Sequence, residues 1–201
     1  MDLYATKGAI NARMVPLVDR LAKAGVTPDQ VTLAAVPVAV LGGACLLLST
    51  SVPALLLAVP LLVVLRILLN LVDGNMARRT GRIHPRGELY NELGDRVADI
   101  AFLAPVAFLP GASPQMVLLG VLMGVMASYV GITAKAAGGE RIYRGILSKP
   151  GRMTLLVVCS LWTFIAGPAD TTAWAVFGPI LLIGTVLTLV ERVVVAVRRL
   201  G

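Results

Sequence analysis

Six apolar runs, at residues 31–49, 53–72, 96–109, 115–136, 152–166 and 172–197, constrain this chain more than any other feature. A bilayer's hydrocarbon core, roughly 30 Å thick, is crossed by about twenty helical residues. Four runs approach that length. The third and fifth are short, so the third must begin inside the polar stretch ahead of it, near Glu88. With 57% hydrophobic and 14% charged residues and a mean hydropathy of +0.85, the 201 residues are far too apolar for an ordinary soluble domain. The expectation is an all-α integral membrane protein, six transmembrane helices preceded by an interfacial amphipathic helix. No repeat, low-complexity tract or long linker divides residues 1–201, so a single domain is expected.

Residues 1–25 place Ile10, Met14, Leu17 and Leu21 on one helical face, with Lys7, Arg13, Arg20 and Lys23 among the polar positions, as in a helix lying on a membrane surface. They lack the compact apolar region and small-residue cleavage site of a secretory signal. Gly25 to Thr32 then restart the chain. Thr27 can cap, Pro28 suits a first helical position and Asp29 favours a helix N-terminus.

Residues 50–52, 110–114 and 167–171 contain no Lys or Arg, while the 18 basic residues lie in the opposite connections or near those membrane ends. The positive-inside rule then gives a multi-pass protein of the cell (inner) membrane with both termini and the polar stretch cytoplasmic. The net charge of +7 does not indicate nucleic acid, because the basic residues do not interleave with aromatics and sit between apolar spans. Anionic lipid and phosphate suit them better. Cys45 and Cys159 lie in apolar runs with no partner at a motif spacing, which gives neither a disulfide framework nor a zinc site.

The chemistry is expected in Asn70 to Asp95, within an active-site segment of residues 70–99. Arg66, Asn70, Asp73 and Ala77 share one helical face on the way in, and Asn91, Asp95 and Asp99 share one on the way out. Facing oxygen ligands on two helices suit a hard cation such as magnesium. Glu88, Glu92 and Asp99 are either ordinary polar residues or extra negative charge for that site. Gly74 and Gly87 serve close helix packing, a turn, or the approach of a diphosphate to the backbone. His84, alone in its loop, receives no role. Gly120, Gly124 and Ser128 make a small-residue strip that faces either its own bundle or a second subunit. Lys135, Arg141, Arg144, Lys149 and Arg152 form a second basic cluster, which either meets anionic headgroups or lines a phosphate pocket.

At these residues the chain resembles the CDP-alcohol phosphotransferases, whose signature is D-x-x-D-G-x-x-A-R-x8-G-x-x-x-D-x-x-x-D. Asp73, Gly74, Ala77, Arg78, Gly87 and Asp95 fall in register, while Asn70 and Asn91 stand where the signature has its first and third aspartates. The resemblance implies a six-helix bundle, homodimeric, with a cytoplasm-facing cavity between the second and third spans. It implies transfer of a phosphatidyl group from a CDP-linked lipid, CDP-diacylglycerol, to an alcohol, with release of CMP. Asp73, Gly74, Ala77, Arg78 and Gly87 would bind the CDP donor, and Arg78 a phosphate oxygen. Asn70, Asp73, Asn91 and Asp95 would hold Mg2+ or, in its place, Mn2+, and Asp95 would be the general base. Arg141, Arg144, Lys149 and Arg152 are candidates for a phosphate on the acceptor. The two asparagines remove two negative charges, so the competing expectation is a catalytically impaired member that binds or scaffolds at the membrane. A small transporter fits less well, because the polar residues cluster at one end rather than the midplane and no paired interrupted helices suggest inverted repeats.

Overall fold

The structure is a computed structural model that describes residues 14–81, 84–167 and 169–200. Among these residues it is all-helical, with seven α-helices. Residues 14–23 form α1. Then follow α2 (Pro28–Leu48), α3 (Ala58–Thr80), α4 (Pro85–Leu103), α5 (Pro114–Ala136), α6 (Lys149–Ala166) and α7 (Thr172–Leu200). Short 3-10 turns, Pro53–Leu57 and Ala104–Phe108, lead into α3 and out of α4.

Helix starts follow local chemistry. Thr27 and Gln30 form a reciprocal capping box at α2, with Pro28 in the first turn. At α4 His84 is the cap, its Nδ1 accepting from the backbone N–H of Gly87 at 3.1 Å. Gly81 ends α3 with a φ of 66°, a left-handed cap that glycine adopts without steric cost.

Every expected apolar run coincides with a helix, but the runs are not equivalent. Among the described residues, four helical stretches are long and apolar enough to cross a membrane: Pro28–Leu48, Pro53–Thr80, Pro114–Ala136 and Thr172–Leu200. α4 begins at Pro85, ahead of the expected Glu88, and carries Glu88, Glu92, Asp95, Arg96 and Asp99, which lower its hydropathy. α6 begins at Lys149 and has 18 residues, too few apolar ones to stand with the four.

α2 packs on both α3 and α4, and α5 lies along α7. The α2–α4 contact is close, since a Cβ on Gly43 would sit 2.2 Å from the Ala101 carbonyl oxygen and one on Gly42 the same distance from the Phe102 ring. Small residues are what let these two backbones approach. A Cβ on Gly120 would meet Leu181 at 2.8 Å, and one on Gly124 would meet Arg152 at 3.4 Å. The small-residue strip of α5 therefore faces its own bundle.

The core holds Leu46, Phe102, Val117, Leu156, Phe177 and Leu181, all fully enclosed. Leu61, Leu122, Ile183 and Val190 point outward, as expected of helices facing acyl chains. The N-terminal helix was expected over residues 1–25. Its first thirteen residues, including Lys7, Ile10 and Arg13, lie outside the described residues. In the part described, Met14 and Val18 are buried against Val31, Val72 and Met76. Leu17, placed with them by periodicity, is instead exposed at 48%. Val18 takes the inward position, and Asp19 is bound by both nitrogens of the Arg79 fork, at 2.9 and 3.2 Å from Oδ1, which fixes α1 to the end of α3.

Candidate active site

The start of α2, the last turns of α3 and the first turns of α4 enclose a cavity of about 480 Å3. Asp73, Gly74 and Ala77 line it from α3, Gly87 and Asn91 from α4, and Asp29 and Thr32 from α2. Arg141 reaches its wall from the α5–α6 connection. Five of the residues expected to bind donor or metal thus share one space.

Asp73 is buried, and its Oδ2 accepts from Thr32 Oγ1 at 2.7 Å. That bond ties α3 to α2 and fixes the carboxylate on the wall. Gly87 has a specific steric reason to be glycine, because a Cβ there would lie 3.2 Å from Asp29 Oδ1 and 3.5 Å from the His84 ring. His84, given no role from sequence, lines the cavity, caps α4 and places Nε2 3.4 Å from Asp29 Oδ2. Gly74 leaves open space beside Arg78, whose nearest guanidinium nitrogens lie 3.8 Å from the site of a Cβ. Arg78 itself is exposed, 3.3 Å from Asn75 Oδ1.

Asn70 and Asp95 sit one helical turn deeper than Asp73 and Asn91, in a second cluster beside the cavity. Three donors converge on Asp95 Oδ1: the Arg66 guanidinium through Nη2, the Asn70 amide at 3.1 Å and the Lys149 ammonium at 2.6 Å. Arg66 is only 3% exposed and lies well within α3, so the reading that placed every basic residue near a membrane end does not hold for it. Charged groups so placed are costly and point to function. The sequence did carry a signal for it, because Arg66 shares the face of Asn70 and Asp73.

The second basic cluster is drawn apart. Arg141 pairs with Glu92, which Arg96 also holds at 2.8 Å. Arg152 and Asp99 form a buried pair at 2.6 Å, 2% and 6% exposed. Lys149 belongs to the Asp95 cluster, and Lys135 pairs with Glu88 at the surface. Arg144, with its side chain 76% exposed, turns to Glu191 and does not join Arg141, Lys149 and Arg152. The residue that sequence reasoning missed in this region is Arg192. From α7 it donates to the carbonyls of Arg144, Ala127 and Tyr143 at 2.7, 2.8 and 3.0 Å, and so fastens the α5–α6 connection.

Among the described residues no three His, Cys, Asp or Glu side chains gather as a ready metal cage. The donor set still suits magnesium of a particular kind. That ion is commonly bound by one or two carboxylates together with substrate phosphates, and Asp73 with the Asn91 amide offers such a partial set on the cavity wall.

The chain is thus an all-helical bundle with helices long and apolar enough to cross a membrane, carrying at one end a polar cavity lined by oxygen ligands and glycines with cations adjoining it. No family model matches the chain. It is 32% identical over 197 residues to a phosphatidylinositol phosphate synthase of Cutibacterium acnes, covering 92% of both chains. It is also 32% identical over 162 residues to the inner membrane protein YnbA of Escherichia coli, covering 81% of this chain and 79% of that one. The phosphatidylinositol phosphate synthase of Mycobacterium tuberculosis, solved with CDP-DAG bound, has the same fold with a TM-score of 0.78 at 23% identity, covering 92% of this chain and 94% of that one. The chain belongs to the family of the phosphatidylinositol phosphate synthases, which are CDP-alcohol phosphotransferases.

Proposed function

We infer that this protein transfers a phosphatidyl group from a CDP-linked lipid, CDP-diacylglycerol, to an alcohol and releases CMP. The observation that carries this reading is the convergence of Asp73, Gly74, Ala77, Gly87 and Asn91 on one cavity at the end of a membrane-type bundle. The chain's relatives named as phosphatidylinositol phosphate synthases support it. A lipid donor accounts for a site at the junction of apolar helices and charged connections.

The residues have distinct parts to play. Asp73, held by Thr32, would face the donor diphosphate together with Asn91, and Gly74 and Gly87, which line the same cavity, would let the diphosphate approach the backbone. A divalent ion, Mg2+ or Mn2+, would offset charge developing on the diphosphate when bound. Asp73 and Asn91 would hold it from the cavity wall, and Asn70 and Asp95 stand behind them. Asp95 is held through Oδ1, and a carboxylate anchored by one oxygen can accept the acceptor hydroxyl's proton on the other. Arg78, exposed at the end of α3, would bind a phosphate oxygen. Arg141, Lys149 and Arg152 would meet a phosphate on the acceptor, while Arg144, paired with Glu191, stands apart from them.

In the membrane, all six helices α2 to α7 would cross, with α4 and α6 shielding their charged ends inside the bundle, and α1 would rest on the cytoplasmic surface. Two copies would associate as a homodimer. Cysteines at Ser113 and Thr171 are expected to react with an impermeant maleimide from outside intact cells, while Gly81→Cys reacts only after permeabilisation. Labelling of Gly81→Cys in intact cells would reverse the orientation.

A second reading rests on the same geometry. Asp95 is engaged by three donors and two signature carboxylates are amides, which favours a member that binds its ligand without turnover. Purified protein given CDP-diacylglycerol, Mg2+ and a panel of alcohols, including glycerol phosphate and inositol phosphate, decides between them. CMP release that depends on an acceptor establishes the transferase, and CDP-lipid binding without CMP establishes the scaffold.

A further inference from the structure

We propose that Arg66 and Lys149 take the charge-balancing place of a second divalent cation, so that this chain binds a single metal ion, and only together with the nucleotide diphosphate. This rests on the CDP-donor reading above and concerns how that site is charged.

The geometry at Asp95 carries the argument. Its Oδ1 is engaged by the Arg66 guanidinium, the Lys149 ammonium and the Asn70 amide. A divalent ion on that oxygen would be forced against two fixed positive charges in a buried setting, where repulsion is weakly screened. Asn70 approaches with its nitrogen, 3.1 Å from Oδ1. An aspartate at position 70 would instead bring two carboxylates together at that distance, an arrangement that needs a cation between them. The amide donates to Asp95 and removes that need, and Arg66, on the same helical face, supplies the positive charge to the same oxygen. Asn91 lowers the demand for metal charge again on the facing helix.

The same two cations have capacity left. Among the described residues, Arg66 Nε is a buried nitrogen without a hydrogen-bond acceptor, and the Lys149 ammonium meets one carboxylate oxygen, Asp95 Oδ1 at 2.6 Å, with N–H groups to spare. Buried donors without acceptors are costly, and the phosphate oxygens of a bound donor are groups of the right charge to satisfy them. On the cavity side Asp73 and Asn91 remain, a set that suits one ion whose other ligands come from the substrate.

Manganese binding by the purified full-length chain, read by electron paramagnetic resonance with and without CDP, tests this without reference to turnover. The expected result is one Mn2+ per chain with CDP present and binding weaker by roughly tenfold or more without it, the scale on which a missing ligand contact alters metal affinity. The variant combining Asn70→Asp, Asn91→Asp and Arg66→Met is expected to take up a second ion, with the spectral signature of two coupled Mn2+. Two ions per wild-type chain, or tight binding without nucleotide that Asp95→Asn abolishes, overturns the proposal. The wild-type stoichiometry decides the matter even where the variant fails to fold. CMP release with two bound ions keeps the transferase and sinks this inference. One ion per CDP without CMP release does the reverse.

Discussion

Asp95→Asn is expected to lower CMP release from CDP-diacylglycerol by about 10²–10⁴-fold, the range that a positioned general base contributes. The isosteric amide keeps the volume and can still accept from Arg66, so the backbone of α4 need not move. It cannot take a proton from an attacking hydroxyl, and it removes the carboxylate that binds Arg66 and Lys149, leaving Lys149 to Asp99 alone. The loss should fall mainly on kcat, with the KM for the CDP-lipid changed much less, because on the proposed reading the donor diphosphate would face Asp73 and Asn91, which line the cavity, while Asp95 does not. Initial rates in mixed micelles, paired with a thermal unfolding curve of the same preparation, separate lost chemistry from lost fold. A folded variant that keeps activity within a few-fold of wild type removes Asp95 from the role of base.

Arg152→Met should be strongly destabilising. Its guanidinium is 2% exposed and lies 2.6 Å from Asp99 Oδ2, while Asp99 Oδ1 has no hydrogen-bond partner among the described residues. Removing the cation takes the bonded partner from a carboxylate between α4 and α6 and leaves it only the nearby charge of Lys149, and a buried pair broken on one side costs about 3–5 kcal/mol. Replacing both partners, as Arg152→Met with Asp99→Leu, should recover most of that, because two apolar side chains fill the space without an unpaired charge. Thermal midpoints of the wild type, the two single variants and the double variant form a cycle that isolates the coupling. Single variants as stable as wild type would mean that the pair is solvated in the protein and contributes as little as a surface ion pair.

What could be read from the chain alone was its periodic and motif-borne content. Apolar runs gave the helices, Thr27 and Pro28 gave the start of α2, and the signature spacing gathered Asp73, Gly74, Ala77, Gly87 and Asn91 around one cavity. Local patterns reveal a residue's own helix and face. Pairings across forty or more positions leave no such trace. Lys149 meeting Asp95, Arg152 meeting Asp99 and Thr32 meeting Asp73 depend on how α2, α3, α4 and α6 are brought together. The basic cluster after α5 looked like one patch because its members are neighbours in sequence, yet Arg144 and Arg152 answer to different acids on different helices. Arg66 is visible on the motif's face and receives no role from sequence, since nothing local shows that its partner is Asp95.

α7 supplies no wall of the cavity, yet its Arg192 holds three carbonyls belonging to α5 and the strand of chain after it. A connection left to fluctuate would have to be ordered each time an acceptor arrived, and that entropy would be subtracted from its affinity. Here the ordering is completed during folding, at the far end of the chain, before any substrate is met. Selection for acceptor affinity would therefore act on α7, a helix whose buried apolar residues serve the core.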